Sequence, residues 1–281
     1  MVIKTFLSLL LLWPAFSVHA LKIEGFTPDE SIVYKTIGED ELKLHIFYPE
    51  NHNKKTDKRP AIVFFFGGGW VGGNPSQFFP HCQHLASRGM VAISAEYRIR
   101  SRHQTTPKEC VKDGKSAIRW IRKNAPELGI DPNSIVAGGG SAGGHVAAAT
   151  GTLKGFEEEG EDLSISSRPN ALVLFNPVFD NGPGGYGHDR VKDYWEAFSP
   201  LHNINKNTPP TIVLAGTEDR YVPAETFKAF QRRMQATGLR SELHLYEGQK
   251  HGFFNLGRGF YEQPLMDMDR FLVSLGLLPE Q

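Results

Sequence analysis

Residues 134–149 read Ser134-Ile-Val-Ala-Gly-Gly-Gly-Ser141-Ala-Gly-Gly-His-Val-Ala-Ala-Ala149. A short apolar, β-type run enters a cluster of glycines, and an alanine-rich helical run begins directly after it. Between them stands Gly139-x-Ser141-x-Gly143. A serine hydroxyl becomes a useful nucleophile when it is held exposed at the edge of a sheet beside a base. A tight strand-to-helix turn does this, and small flanking residues leave room for the crossing backbone. The helix start behind Ser141 also favours negative charge developing nearby. A nucleotide-binding glycine loop is the competing reading. It lacks the Lys that a phosphate loop carries after its glycines, and it lacks the combination of a G-x-G-x-x-G register with an acid at the end of a following strand. Ser141 is therefore the candidate nucleophile.

Working outward, apolar runs at 61–66, 91–97, 171–175, 211–215 and 242–246 read as strands buried on both faces. Runs at 32–37 and 42–48 flank Gly38-Glu39-Asp40 and read as a hairpin. Helical patterns occupy 110–124, 142–152, 224–237 and 261–275. Strands alternating with helices predict an α/β fold, a mostly parallel central sheet with helices on both faces. One domain over 21–281 fits that length. Two stretches do not fit the alternation. Residues 155–168 are polar and acidic, with Glu157-Glu158-Glu159, and read as a solvated loop. Residues 181–202 are rich in glycine and aromatics and are long enough for a lid or pocket wall.

A second glycine cluster, Phe66-Gly67-Gly68-Gly69-Trp70, follows the strand at 61–66. Acyl transfer creates an oxyanion, which needs backbone N–H donors converging on one point, and consecutive glycines let the chain turn them there. The base and its orienting acid are expected later, in the order Ser, acid, His. Asp219 follows the strand at 211–215 within Gly216-Thr-Glu-Asp219, and His251 follows the strand at 242–246. There the imidazole would take the serine proton and return it to a leaving alcohol. Asp180 and Glu218 are the rival acids, and His145, one helical turn after Ser141, is the rival base. A helix residue at that position more often packs against the neighbouring strand. No histidines are spaced with carboxylates or cysteines as a metal site requires, so neither metal nor cofactor is expected.

Composition bounds the rest. The 281 residues carry 31 basic and 31 acidic groups, so no bulk charge draws the chain to nucleic acid or an anionic membrane. Residues 1–20 combine Lys4, an apolar run and Val18-His19-Ala20, the pattern of a cleaved export leader. The run is too short to be a comfortable membrane span, so a secreted or periplasmic protein without a stable membrane anchor is expected. In an oxidising compartment Cys82 and Cys110 either pair or stay as two buried free thiols.

Taken together, Phe66-Gly-Gly-Gly-Trp70, Glu96-Tyr97-Arg98, Gly139-Gly-Ser-Ala-Gly-Gly144, Gly216-Thr-Glu-Asp219 with Val222-Pro223, and His251-Gly-Phe253 span nearly the whole mature chain. In that order they resemble the hormone-sensitive-lipase-like esterases of the α/β-hydrolase superfamily. The resemblance implies an oxyanion hole from the N–H groups of Gly68, Gly69 and Ala142, and structural roles for Glu96 and Arg98. This chain departs from the family at Phe66, where a bracing His is usual, and at Gly140, where Asp is usual. Cap helices are not evident either. It therefore looks more like compact secreted members that act on acetylated carbohydrates such as xylan.

Trp70, Tyr186, Tyr194 and Phe253, with Trp195, are the candidate pocket aromatics, whose faces suit sugar rings and short acyl chains alike. The expected partner is a small-molecule or carbohydrate ester, not nucleic acid. The expected activity is hydrolysis of a short carboxylic ester through an acyl-serine intermediate. A peptidase or amidase with the same triad, and a non-catalytic binding protein of the same fold, are the alternatives.

Overall fold

The structure is a computed structural model and describes residues 25–280; the expected leader at 1–20 lies outside the described residues. Eight strands form one sheet: β1 (Glu30–Ile37), β2 (Asp40–Phe47), β3 (Arg59–Phe65), β4 (Val91–Ala95), β5 (Ile130–Gly140), β6 (Ala171–Phe175), β7 (Thr211–Gly216) and β8 (Ser241–Tyr246). Their spatial order is β1-β2-β4-β3-β5-β6-β7-β8. β1 and β2 make the expected hairpin, and β2 runs antiparallel to β4. Every other neighbouring pair is parallel. The α/β-hydrolase fold expected from the sequence is the fold observed.

The chain runs from β3 outward to β4, then returns to place β5 on the other side of β3. The loops leaving the carboxyl ends of β3 and β5 therefore diverge, and the crevice between them is where an open α/β sheet takes its ligand. Those two loops carry Gly67-Gly68-Gly69 and Ser141.

Successive side chains of a strand point to opposite faces, and β3 shows both. Phe64 stacks on Phe78 at 4.7 Å, at the start of helix Phe79–Ser87. Phe65 points the other way, toward Gly114 of helix Pro107–Lys123. Helix Glu262–Ser274 joins the first face through His84 and Asp269, 2.9 Å apart, and helix Ala142–Thr152 lies on the second beside Pro107–Lys123.

Two elements start three or more residues before their expected places. Helix Pro107–Lys123 begins three residues before 110 because Thr106 and Glu109 form a reciprocal capping box and Pro107 suits the first turn. β5 starts at Ile130, not 134, because Ile130 pairs with Arg59 ahead of a register shift.

The 155–168 loop forms no helix or strand, yet it is not simply solvated. Glu157 pairs with Lys115 at 2.6 Å and with Arg119 at 2.8 Å. Glu158 meets Lys35 at 2.6 Å and Arg98 at 2.7 Å. Arg98 and Lys35 also flank Asp113, whose side chain is wholly buried. Burial raises the Glu158 pKa, but the Lys35 hydrogen bond and the charges of Lys35, Arg98 and Lys112 outweigh it and hold the group at about 2. The acidic run is a strap pinned over buried cations, a role its composition alone does not reveal.

Of the two readings of the cysteines, the structure has the free thiols. Cys82 and Cys110 are both free and buried, on helices that lie on opposite faces of the sheet. The intervening sheet keeps the thiols apart, and burial pushes both pKa values up.

His81 is packed among Phe78, Phe175 and Tyr261 with ring centroids 5.0–5.3 Å away. Neither ring nitrogen finds a partner among the described residues. Burial, with a smaller contribution from His84, pushes its pKa from 6.5 down to about 3. The unfolded chain takes up a proton below pH 6.5 that the folded chain refuses, so stability falls as pH drops below that value. At pH 5 this amounts to about 2 kcal/mol, at ~1.4 kcal/mol per pKa unit. In thermal melts at pH 7 and pH 5, His81→Phe should lose less stability than the parent over that interval. Parallel pH dependence in the two proteins would contradict it.

Candidate active site

Ser141 occupies the single residue between β5 and helix Ala142–Thr152, with φ 56° and ψ −122°. A positive φ at a non-glycine residue stores strain of about 1–3 kcal/mol and persists only where the surroundings impose it. The surroundings here are close-packed backbone. A Cβ at Gly143 would lie 2.0 Å from the Phe65 carbonyl oxygen, and one at Gly139 would lie 2.5 Å from that of Gly143. Both positions exclude a side chain, so helix and sheet approach closely and the turn is compressed into Ser141.

The structure brings Ser141, His251 and Asp219 together. Ser141 Oγ donates to His251 Nε2 across 2.8 Å, and His251 Nδ1 donates to Asp219 Oδ2 across 2.6 Å. The assignment follows from chemistry, because an ionised carboxylate only accepts and therefore places the ring proton on Nδ1. Asp219 is held by the loop after β7, where its Oδ1 accepts the N–H groups of Tyr221 at 2.8 Å and Val222 at 3.1 Å. Its carboxylate is fully buried while the His251 ring keeps 17% exposure, enough to meet a substrate.

The rivals lie elsewhere. Asp180 sits 3.9 Å from His202 in the wall segment, and Glu218 is exposed. His145 is fully buried and donates from Nε2 to the Phe198 carbonyl at 3.1 Å. Burial pushes its pKa down to about 3, partly opposed by that bond.

Gly67-Gly68-Gly69 lies directly against the serine, since a Cβ on Gly67 would be 3.3 Å from Ser141 Cβ. Gly68 and Gly69 adopt φ of 132° and 64°, a backbone that glycine reaches without strain. Gly67 N–H is already committed to Gln77 Oε1 at 2.6 Å. Among the described residues the amides of Gly68, Gly69 and Ala142 have no protein acceptor, which leaves three unengaged donors in the two loops that meet at Ser141. Phe66, where the resembled family carries a bracing His, instead stacks on Tyr97 at 4.2 Å, and Tyr97 Oη donates to the Phe66 carbonyl at 2.5 Å.

The pocket aromatics divide. Tyr186 lies over the Gly67-Gly68-Gly69 loop, with its hydroxyl 2.8 Å from where a Gly69 Cβ would be. Trp70 is buried beneath the loop, edge-on to His145 at 5.1 Å. Phe253 is buried behind His251 against Tyr246 at 5.2 Å. Tyr194 packs on Phe198 and carries Lys108 over its ring at 4.4 Å, and Trp195 meets His202 at 5.2 Å. These four are wall or core, because a large ring gains more from burial than from lining a wet cleft.

Tyr221, 45% exposed and edge-on to His251 at 5.0 Å, is a mouth residue the sequence reading missed, although it stands two places after Asp219. Gln77 and Asn255 were missed as well. Gln77 Nε2 donates to Asn255 Oδ1 at 2.9 Å, and Asn255 Nδ2 donates to the Gly252 carbonyl at 2.8 Å, so the glycine loop at 67–69 and the His251 loop are tied together. No local signal marks a pair 178 residues apart.

Residues 44–180 match the BD-FAE family, and residues 171–272 match the prolyl oligopeptidase family. Esterase LipC of Mycobacterium tuberculosis is 30% identical over 220 residues, which are 70% of this chain and 54% of LipC. An acetylxylan esterase of Xylanibacter ruminicola is 25% identical over 286 residues, with 94% of this chain and 54% of that protein covered. The chain spans about half the length of these sequence relatives. Among solved structures, Thermogutta terrifontis esterase 2 phosphoramylated by tabun is 47% identical with a TM-score of 0.86, covering 90% of this chain and 96% of that one. At that identity and coverage the chain belongs to the esterases of the α/β-hydrolase superfamily.

Asp219→Asn should leave the fold intact but disfavour the tautomer that accepts the serine proton, lowering kcat by about 10⁴-fold in ester hydrolysis. Steady-state kinetics beside a circular-dichroism melt checks this; a folded variant within about tenfold of the parent would remove Asp219 from the relay.

Proposed function

We propose that this protein hydrolyses carboxylic esters with short acyl groups through an acyl-serine intermediate. The observation that carries the reading is the Ser141–His251–Asp219 relay standing against three unengaged amides. Ser141 Oγ attacks the ester carbonyl carbon while its proton passes to His251 Nε2, and the carbonyl electron pair becomes an oxyanion facing Gly68, Gly69 and Ala142. Collapse of that intermediate expels the alcohol, which takes the proton from His251. Water then repeats the sequence against the acyl group, releasing the acid and free Ser141. Asp219 orients the ring throughout and balances the imidazolium.

Short acyl groups are supported by the Tyr186 and Tyr221 rings, 6.1 Å apart, which flank the mouth between the oxyanion loop and His251. They are supported also by the likeness to the Thermogutta terrifontis esterase, which has been solved bound to butyrate at 46% identity and a TM-score of 0.85. Acetyl esters of carbohydrates are our preferred substrate class within that range, on the exposed aromatic at the mouth and the likeness to an acetylxylan esterase. The likeness to the prolyl oligopeptidase family covers the acid and the base but not Ser141, so it does not favour peptide substrates.

In a nitrophenyl ester series, kcat/KM should be highest from acetyl to butyryl and fall at least about tenfold at octanoyl, as extra methylenes lose their fit. Ser141→Ala should abolish the burst. Preference for octanoyl esters would refute the short-acyl reading, and acetate release from acetylated xylan tests the carbohydrate part.

The leader-like pattern of residues 1–20 supports action outside the cytoplasm. Amino-terminal sequencing of exported protein should then begin at Leu21; an intact Met1 on material retained inside cells would oppose export.

A further inference from the structure

The oxyanion loop is built from glycines, which impose no conformation of their own, and a hole that stabilises charge must not reorganise as the charge appears. Something outside the loop must hold it. Gln77 holds the Gly67 end. At the other end the Arg190 guanidinium donates from Nη1 to the Gly69 carbonyl at 2.6 Å, from 121 residues away in sequence. Its Cζ lies 5.0 Å from the Trp70 ring centroid and 5.4 Å from that of Tyr186.

Among the described residues Arg190 makes no ion pair with any carboxylate within 4.0 Å. A guanidinium presents a rigid fork of donors and stacks well on aromatic faces, so this placement suits a brace better than a surface charge. The same segment makes room for it: Gly187 has φ 73°, and a Cβ there would lie 2.9 Å from both Arg190 Nη2 and Trp70 Cζ3.

We propose that Arg190 is a positioning residue for the oxyanion hole, fixing the peptide that follows Gly69 so that the Gly68 and Gly69 amides keep facing Ser141. It supplies from the wall segment the bracing that Phe66 does not provide. The proposal rests on the acyl-serine reading, and its test separates the two. A short alkyl trifluoromethyl ketone adds Ser141 Oγ to its carbonyl carbon; the serine proton goes to His251 and the carbonyl oxygen becomes an oxyanion in the hole. Its affinity therefore reports the hole directly.

Arg190→Met keeps an apolar stem without the fork. It should lower kcat for nitrophenyl acetate by about tenfold, with KM within about twofold, because an indirect brace is worth less than a hole donor. Ketone affinity should fall by a similar factor, and Arg190→Lys should recover part of both. A folded Arg190→Met with unchanged kcat and ketone affinity would overturn the proposal. So would a rise in KM alone, which would mark a substrate contact. If Arg190→Met does not fold, Arg190→Lys carries the same comparison: intermediate losses in kcat and ketone affinity support the brace, and parental values refute it. Failure of the parent protein to hydrolyse any ester, or parental rates in Ser141→Ala, would instead sink the catalytic reading.

Discussion

Helix Ala142–Thr152 lies so close to the sheet that its first turn meets the end of β3 backbone to backbone, with no side chain between them at Gly139 or Gly143. A sheet-to-helix reversal at that spacing has to be completed in one residue, and Ser141 takes the unfavourable φ that completes it. The flanking runs bury Val136, Ala137, Val146 and Ala147 completely, and apolar burial at about 25 cal/mol per Å² readily offsets a local cost of this size. The hydroxyl thus projects toward His251 from the end of the sheet, and Gly67 is drawn alongside. Relax the contact and each of these placements goes with it.

The remaining parts of the site converge by cross-bracing, because each stands on its own loop. The His251 loop leans on Asn176 at the end of β6, whose Oδ1 accepts the Gly252 N–H at 2.9 Å. Through Asn255 and Gln77 the same loop reaches Gly67. Loops can change conformation on their own, so tying them to one another and to strand ends is what keeps the geometry at the sub-ångström level catalysis needs.

Farther from the chemistry, the strap at 155–168 covers a buried cluster in which Arg98 and Lys35 each pair with both Asp113 and Glu158. Removing water from ions is costly, and such a cluster survives because every charge is matched; losing one partner would strand another. Phe156 of the strap packs on Phe198 at 5.5 Å, so the strap also reaches the wall segment.

The nucleophile turn, the hairpin, the strand series and the helices from residue 107 onward that exceed ten residues were legible in the sequence because periodicity and turn chemistry are properties of neighbouring residues, whereas helix Phe79–Ser87 was not read there. The order Ser141, Asp219, His251 was legible as chain order, and the departure at Phe66 as a missing brace. What replaced that brace was not, since Arg190 is nothing but one arginine in a glycine- and aromatic-rich stretch until the fold sets it against the Gly69 carbonyl. The buried role of Trp70 and Phe253, the separation of Cys82 from Cys110 and the pinned acidic strap were hidden for the same reason: each depends on which face of the sheet an element covers. Sequence by itself determined that a serine would stand in a strand-to-helix turn flanked by glycines, because an apolar β run, a glycine cluster and a helical run follow one another directly. Only the tertiary structure decided what meets it, because the order of parallel strands brings His251 to within 2.8 Å of a hydroxyl 110 residues away.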